Sequence, residues 1–201
     1  MNILVFTSAM SESHFNVYQE KADIKPNPSN QAFYSKLIKA LKIDNNVSVV
    51  SLRPFTKGMF KEKKLESEFN MSGKVAYYYT QIEASKTYKL LYEKKEIMKA
   101  AELAINDFHS PNFVIITDTL RLNLIKAAQK IAKLHKVKII GMLTDNPDNL
   151  SSVNPAYSLD IKKHVQKLDG YLSLSEGLVN VFDTNKPSYI FEGLAIEEEI
   201  P

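Results

Sequence analysis

Short, largely apolar runs alternate along this chain with longer segments of helical period, and this alternation constrains the fold more than any other feature. Strands that are buried on both faces have this apolar character. Seven runs fit the description, at residues 3–6, 47–52, 74–79, 113–116, 137–143, 171–174 and 188–191. Because strands separated by helices pair in parallel through right-handed crossovers, the pattern predicts an α/β fold. We expect a Rossmann-like, mostly parallel sheet of about seven strands with helices on both faces, built by residues 1–201 as one domain.

The segments between these runs predict the helices and two long loops. Apolar residues at helical spacing mark helices at residues 29–42, 84–108, 119–136, 158–168 and 175–182. Ser29 is the expected N-cap of the first of them. Residues 8–28 are predicted as a polar loop, and residues 57–72 as a second loop rich in lysine and glutamate. A connection as long as the first one indicates a working loop.

Candidate binding residues follow from the position of the strand ends. Sheets of this kind bind their ligands beyond the carboxyl ends of the strands. The rule selects the polar residues and the glycine that follow the predicted strands, namely Thr7, Ser8, Asp118, Thr119, Asp145, Asn146, Ser175, Glu192 and Gly193. Two of these ends repeat a Thr-Asp pair, where a carboxylate could meet a ligand hydroxyl. Helix capping by Asp118, or an Asx turn at Asp145, accounts for the same residues without a ligand.

Two further candidates lie near the first predicted strand. The helix start at Ser29 and Asn30 offers free backbone amides and a partial positive charge, which stabilise anions such as a diphosphate. His14 is the one histidine of four that falls in a predicted working loop. The histidines lack metal-ligand spacing, and the chain has no cysteine, so we expect no metal site and no disulfide.

Several function classes lose support from missing motifs. The loop after the first strand contains no glycine between residues 7 and 13, so a dinucleotide-binding fingerprint is absent. Neither a P-loop nor a G-x-S-x-G elbow occurs. The basic residues are almost all lysine, with Arg53 and Arg121 as the two arginines, which argues against nucleic-acid binding.

The chain has no apolar run long enough for a membrane helix, and we expect a cytoplasmic protein. Residues 57–64 mix cationic and apolar side chains and could rest on an anionic membrane surface. The neighbouring glutamates favour a solvated loop over peripheral membrane binding.

Three segments in the second half, taken in order, are similar to a known family. They are residues 138–147 (KIIGMLTDNP), 168–175 (LDGYLSLS) and 186–193 (KPSYIFEG). Together with the helix start PSNQ at residues 28–31, they resemble the N-terminal half of GT-B fold glycosyltransferases. The resemblance is to the retaining group of family 4 type, which includes glycogen-synthase-like and sucrose-synthase-like enzymes, and it covers most of the chain.

The resemblance implies an acceptor-binding domain of an enzyme that moves a sugar from a nucleotide-diphosphate sugar to an acceptor hydroxyl. Asp145 is then the candidate catalytic residue, and no metal or resident cofactor is expected. A C-terminal Rossmann domain with an E-x7-E element holds the donor in that family, and we expect no such domain among residues 1–201. The family's glycine pair after the first strand is also missing, so we expect these residues to form half of a two-domain enzyme.

Two other readings of the sequence stay open at this point. One is a stand-alone α/β domain that binds a small molecule without catalysis. The other is a module that docks on a partner protein or a membrane through the lysine-rich loop at residues 57–64.

Overall fold

A large, mostly parallel sheet forms the centre of the molecule. The structure is a computed structural model that describes residues 1–149, 154–182 and 185–191. The strands in this part of the chain are β1 (Asn2–Thr7), β2 (Asn46–Ser51), β3 (Lys64–Leu65), β4 (Glu68–Ser72), β5 (Val75–Tyr79), β6 (Ile82–Glu83), β7 (Phe113–Asp118), β8 (Ile139–Leu143), β9 (Gly170–Ser173) and β10 (Ser188–Ile190). Eight of them pair in the order β10-β9-β8-β7-β1-β2-β5-β4, while β3 and β6 form a separate pair. Within the large sheet only β4 runs antiparallel to its neighbour.

Helices cover both faces of this sheet. They are α1 (Glu12–Lys21), α2 (Pro28–Leu41), α3 (Lys86–Leu91), α4 (Glu93–Asn106), α5 (Leu122–His135), α6 (Pro155–Val165) and α7 (Glu176–Val181). Buried side chains of α1 and α2 join one hydrophobic cluster, and those of α4, α5 and α6 join the other. The predicted α/β fold, with a mostly parallel sheet and helices on both faces, is therefore confirmed.

The prediction of an uninterrupted loop at residues 8–28 is wrong, because α1 lies inside it. The Ser11 side chain caps α1 by accepting a hydrogen bond from the backbone N–H of His14. Phe15 and Tyr18, three residues apart on the helix, are both buried. The predicted N-cap Ser29 is also wrong, since Asn27 caps α2 and accepts from the backbone N–H of Ser29 at 2.9 Å.

The predicted loop at residues 57–72 contains β3 and β4, which accounts for the eighth strand of the sheet. β4 and β5 form a hairpin through Gly73 and Lys74, and Gly73 has a φ of +59°. A glycine adopts this left-handed conformation without steric cost, so the tight connection is possible at this position.

The single helix predicted at residues 84–108 is two helices, which meet at Tyr92. The side chains that α4 buries are Glu93, Ile97, Ala100, Ala101 and Ala104. Three of these five are alanines, whose small side chains allow α4 to pack against α5.

The strand order reverses its direction between β1 and β7. From β1 the chain proceeds to β2 and β5 on one side, whereas β7 leads to β8, β9 and β10 on the other. Loops on the two sides of such a reversal diverge and leave a crevice beyond the carboxyl ends of the strands. The fold therefore places a cleft beside the ends of β1 and β7.

Candidate functional site

A cleft of about 930 Å³ lies at this reversal of strand order, and we call it the switch-point cleft. Its walls come from the ends of β1, β7 and β8 and from the starts of α2 and α6. It is lined by Ser8, Phe15, Asn27, Ser29, Asn30, Gln31, Phe33, Pro54, Asp118, Leu120, Arg121, Thr144, Asp145, Asn154, Tyr157 and Leu174. Clefts of this size hold small organic ligands.

Asp118 is a buried carboxylate in the wall of the cleft, with an exposed fraction of 2%. It accepts hydrogen bonds from the backbone N–H of Leu120, at 2.8 Å, and from the side-chain amide of Asn30. Burial raises the pKa of Asp118 above its ordinary value, although these two donors and Arg121 favour the charged form. A carboxylate held in this way can still accept a hydrogen bond from a ligand hydroxyl.

Asn30 connects Asp118 to the loop after β1. Its amide nitrogen also donates to the Ser8 hydroxyl at 2.6 Å. Gln31, next to it on α2, forms two hydrogen bonds with the backbone of Met10, at 2.8 Å and 2.7 Å. A side-chain amide thus holds the loop after β1, where a dinucleotide-binding protein has glycines.

Asp145 also lines the cleft, just after β8, the strand that pairs with β7, and its side chain is exposed. One carboxylate oxygen accepts a hydrogen bond from the backbone N–H of Asn146 at 2.7 Å, and the Asn146 side chain accepts from Asp148 at 2.9 Å. The Asx turn predicted at Asp145 is therefore formed by Asn146 instead, whose side chain accepts from the backbone N–H two residues later. It leaves acceptor positions of Asp145 open to the cleft.

Two helices begin at this cleft, and both begin in the same way. Asn27 precedes Pro28 at the start of α2, and Asn154 precedes Pro155 at the start of α6. Each asparagine accepts a hydrogen bond from the backbone N–H two residues later, at 2.9 Å. The positive ends of both helix dipoles face the cleft, beside the exposed side chain of Arg121. This wall therefore favours an anionic ligand group.

The structure brings together five of the candidate residues predicted from the sequence. Lining the switch-point cleft are Ser8, Ser29, Asn30, Asp118 and Asp145. Asn146 forms the turn beside them, as described above. No comparison tests their roles, so these assignments stay predictions.

The other candidates lie elsewhere or use their polar atoms within the fold. The buried Thr7 hydroxyl accepts from the backbone N–H of Ala9, and the buried Thr119 hydroxyl donates to the Met142 carbonyl at 2.8 Å. Ser175 caps α7. The two remaining candidates, Glu192 and Gly193, lie outside the described residues.

His14 lies in a second cleft, of about 690 Å³, which we call the α1–β4 cleft. It is lined by Ser13, His14, Val17, Tyr18, Lys21, Arg53, Phe60, Lys61, Glu62, Leu65, Glu68 and Asn70. The His14 ring stacks on Tyr79 with a centroid distance of 4.4 Å. Burial, together with Arg53 and Lys21, lowers the pKa of His14, whereas Glu68 opposes that shift. Helix α1 separates the two clefts, since Phe15 faces one and His14 and Tyr18 face the other.

Sequence reasoning missed the most informative polar residues of both clefts. The chain has two arginines, and each of them lines one cleft, Arg121 the first and Arg53 the second. Their rarity in a lysine-rich chain was the available signal, because arginine is preferred where a fixed, bidentate donor is needed. The repeated Asn-Pro pair at two helix starts was a second signal.

Within residues 1–149, 154–182 and 185–191, no group of three or more His, Asp or Glu side chains is arranged to hold a metal ion. The expectation of a metal-independent site stays a prediction. No helix in the described part of the chain is long and apolar enough to cross a membrane. In the lysine-rich segment, Met59 is buried and Phe60 is half-buried, so both apolar side chains pack inward.

Searches for relatives by sequence found none: no family model matches, and no curated protein matches. Solved structures do match. An α,α-trehalose-phosphate synthase (UDP-forming) from Burkholderia vietnamiensis gives a TM-score of 0.57 at 11% identity, over 94% of this chain and 48% of that one. The corresponding enzyme from Burkholderia xenovorans, in complex with glucose-6-phosphate, gives 0.52 at 10% identity, over 90% and 42%. The chain spans about half the length, or less, of these structures. At this identity the similarity shows the fold, which is a Rossmann-like domain of the GT-B type.

Proposed function

We propose that this chain is the acceptor-binding half of a GT-B glycosyltransferase, which moves a sugar from a nucleotide-diphosphate sugar to an acceptor hydroxyl. The observation that carries the proposal is the composition of the switch-point cleft. Two carboxylates, Asp118 and Asp145, line the same cleft as two helix N-termini and Arg121. Such a cleft suits a ligand that carries both hydroxyl groups and a diphosphate.

The donor diphosphate would lie against the starts of α2 and α6. Backbone amides and helix dipoles stabilise the charge of phosphate groups, and Arg121 can donate a bidentate hydrogen bond to phosphate oxygens. When the sugar leaves the diphosphate, negative charge grows on the departing oxygen. Positive groups that are fixed before the reaction stabilise that charge without reorganisation.

The sugar and acceptor hydroxyls would lie between Asp118 and Asp145. In the proposed step the acceptor oxygen forms a bond to the anomeric carbon, and the bond from that carbon to the diphosphate breaks. The nucleoside diphosphate leaves with the bonding electrons. Asp145, exposed at the cleft, accepts the proton of the attacking hydroxyl, and Asp118 orients the sugar through a hydroxyl hydrogen bond.

A second Rossmann-like domain would supply the other wall of the site and most of the contacts to the nucleotide. The chain covers half or less of the matched trehalose-phosphate synthases, which supports this arrangement. The resemblance to the retaining, family 4 type enzymes further suggests that the product keeps the anomeric configuration of the donor, which requires the acceptor oxygen to bond to the anomeric carbon on the same face from which the diphosphate departs. The anomeric configuration of the product, read by NMR spectroscopy, tests that point separately. We place the reaction in the cytoplasm, in agreement with a chain that contains no cysteine.

The full-length protein should release a nucleoside diphosphate when it is incubated with nucleotide-diphosphate sugars and a panel of sugar acceptors. We expect Asp145→Asn to lower kcat by about a hundredfold, which is the usual contribution of a positioned general base. Arg121→Gln should instead raise KM for the donor, by about tenfold or more, since it removes a charged hydrogen bond. Asp44→Asn is the matched control, because this exposed aspartate precedes β2 and so lies at the amino ends of the parallel strands, whereas the cleft lies beyond their carboxyl ends.

Three outcomes would contradict the proposal. Saturable binding of a sugar nucleotide without turnover by the full-length protein would support the non-catalytic binding domain. If the Asp145→Asn variant transfers sugar as fast as the Asp44→Asn control, Asp145 is not the general base and the reaction is not assigned to the switch-point cleft. Liposome flotation that is lost when Lys61, Lys63 and Lys64 become glutamate, with no sugar-nucleotide binding, would favour the membrane-docking module.

A further inference from the structure

We propose that the α1–β4 cleft is a second binding site, which takes an oxyanion, the phosphate or carboxylate group of a ligand with a ring-shaped body, beside Arg53. This site is distinct from the switch-point cleft, and α1 separates the two. The inference therefore does not rest on the proposed glycosyl transfer. It rests on a buried guanidinium, its internal counter-ion, and aromatic side chains in the wall of the cleft.

Arg53 is held firmly in the floor of the cleft, with an exposed fraction of 4%. One terminal nitrogen donates to the backbone carbonyls of Glu66 and Thr80, the latter at 3.0 Å. The guanidinium also lies over the Tyr79 ring, 5.4 Å from its centroid. A buried guanidinium that is fixed in one orientation is costly to keep in a fold, and such groups recur where planar anions are recognised.

Arg53 also has a polar atom without a partner. Among the described residues, the buried side-chain atoms that lack a hydrogen-bond partner are Tyr34 Oη, Ser51 Oγ, Arg53 Nε and Thr80 Oγ1. Of these four residues, Arg53 lines the α1–β4 cleft. Native proteins rarely leave buried polar groups unpaired, and an unpaired guanidinium nitrogen needs an explanation. A site that binds a polar ligand group supplies one.

Glu68 on β4 occupies the position of the expected anion. Its carboxylate lies 3.6 Å from Arg53 Nη1 and 3.6 Å from His14 Nε2, so it approaches both groups at more than ordinary hydrogen-bond length. The Glu68 side chain is 47% exposed, and it can swing into solvent. A ligand oxyanion can therefore take its place beside Arg53. Cations also outnumber carboxylates in the lining, with Lys21, Arg53 and Lys61 against Glu62 and Glu68.

Aromatic side chains form an apolar wall of the cleft. The rings of Tyr18 and Phe60 meet edge to face with their centroids 4.7 Å apart, and His14, one helical turn before Tyr18 on α1, also lines the cleft. Rings pack well against such surfaces. The cleft therefore suits a ring or a similarly flat body that carries one anionic group.

The test uses the complete chain and phenyl phosphate as the probe, with binding measured by titration calorimetry. Benzoate replaces the phosphate by a carboxylate, inorganic phosphate removes the ring, and benzyl alcohol removes the charge. We expect saturable binding of phenyl phosphate or benzoate, weaker binding of inorganic phosphate, and none of benzyl alcohol. Whichever of phenyl phosphate and benzoate binds more tightly shows whether the site prefers a phosphate or a carboxylate group.

Three variants examine the mechanism. Glu68→Gln should tighten anion binding by roughly threefold to tenfold, because it removes the competing carboxylate. Arg53→Lys should weaken anion binding by about tenfold, since lysine lacks the planar guanidinium group that can donate two parallel hydrogen bonds to an oxyanion. Lys21→Gln should weaken it by about threefold, whereas Lys36→Gln, which removes an exposed lysine of α2, should not change it.

The proposal is overturned if no aromatic anion binds, or if Glu68→Gln weakens anion binding or leaves it unchanged. It is also overturned if benzyl alcohol binds as tightly as phenyl phosphate, because the cleft would then be an apolar one. Should Arg53→Lys fail to fold, the opposite effects expected for Glu68→Gln and Lys21→Gln decide the question. Asp145→Asn, in the other cleft, should leave the affinity for phenyl phosphate unchanged, which separates this inference from the proposed transferase.

Discussion

Removal of the same hydroxyl group from two buried tyrosines should change stability in opposite directions. Tyr34 on α2 has an exposed fraction of 0%, and its hydroxyl has no hydrogen-bond partner among the described residues. Tyr79 on β5 is 1% exposed, and its hydroxyl accepts from the backbone N–H of Ser11 at 3.1 Å. Both rings stay buried after substitution by phenylalanine. At each position, burial of the ring therefore contributes nearly the same free energy to the tyrosine protein and to the phenylalanine variant.

The magnitudes follow from the hydrogen bonds alone. A buried hydroxyl without a partner costs about 1–3 kcal/mol, so Tyr34→Phe should stabilise the fold by about 1 kcal/mol or more. Tyr79→Phe removes an acceptor and leaves the buried N–H of Ser11 unpaired, which should destabilise the fold by about 1–2 kcal/mol. In thermal unfolding, each kcal/mol corresponds to roughly 2–4 °C for a chain of this size.

Urea denaturation followed by circular dichroism measures both values, with the slope against urea concentration as the check that the denatured states are alike. The two variants should lie on opposite sides of the unsubstituted protein. Equal destabilisation by both would refute the reasoning, because it would show that Tyr34 has a polar partner or that ring packing, not hydrogen bonding, decides the effect.

Two further predictions concern stability. A Cβ atom at Gly170 would lie 2.9 Å from the backbone oxygen of Pro187, so Gly170→Ala should destabilise the fold by about 1–3 kcal/mol in thermal unfolding. A Cβ atom at Gly177 on α7 would meet Ser175 Oγ at 3.9 Å, an ordinary van der Waals contact, so Gly177→Ala should stabilise the fold by up to about 1 kcal/mol. Burial raises the pKa of Asp118, so the folded protein releases this proton at higher pH than the unfolded chain, and its contribution to stability falls as pH rises through that interval. Asp118→Asn removes this loss, so in urea titrations its stability relative to the unsubstituted protein should rise as the pH is raised above the ordinary pKa of an aspartate. A constant or decreasing difference would contradict the assignment.

The strand pattern of the sequence was sufficient to predict the sheet, because strands buried on both faces are apolar over their whole length. β4 escaped prediction since it is an edge strand with a mixed sequence, and Glu68, Phe69 and Met71 on it are exposed. Helix α1 escaped because Phe15 and Tyr18 are the two buried apolar residues among polar ones, although Ser11 marked its start.

Site residues at the ends of strands could be predicted from the sequence. Site residues whose position depends on contacts with residues distant in the sequence could not. Asp118 and Asp145 follow buried strands, so the general rule for parallel sheets located them. Arg53 could not be placed from the sequence, since its role depends on carbonyl groups of residues 66 and 80 and on the ring of Tyr79. Interactions of this kind appear only once the chain is folded.

The central position of β1 has a consequence for how the protein folds. Asn2 pairs with Asn46 in β2 and with Phe113 in β7, which are separations of 44 and 111 residues. Both long loops must close before the ends of β1 and β7 meet, and contacts of such separation slow folding. We therefore expect the switch-point cleft to form late in folding, since β1 must pair with both of its neighbours first. Ligand binding at this cleft should accordingly report the completion of folding, whereas helical content reports earlier steps.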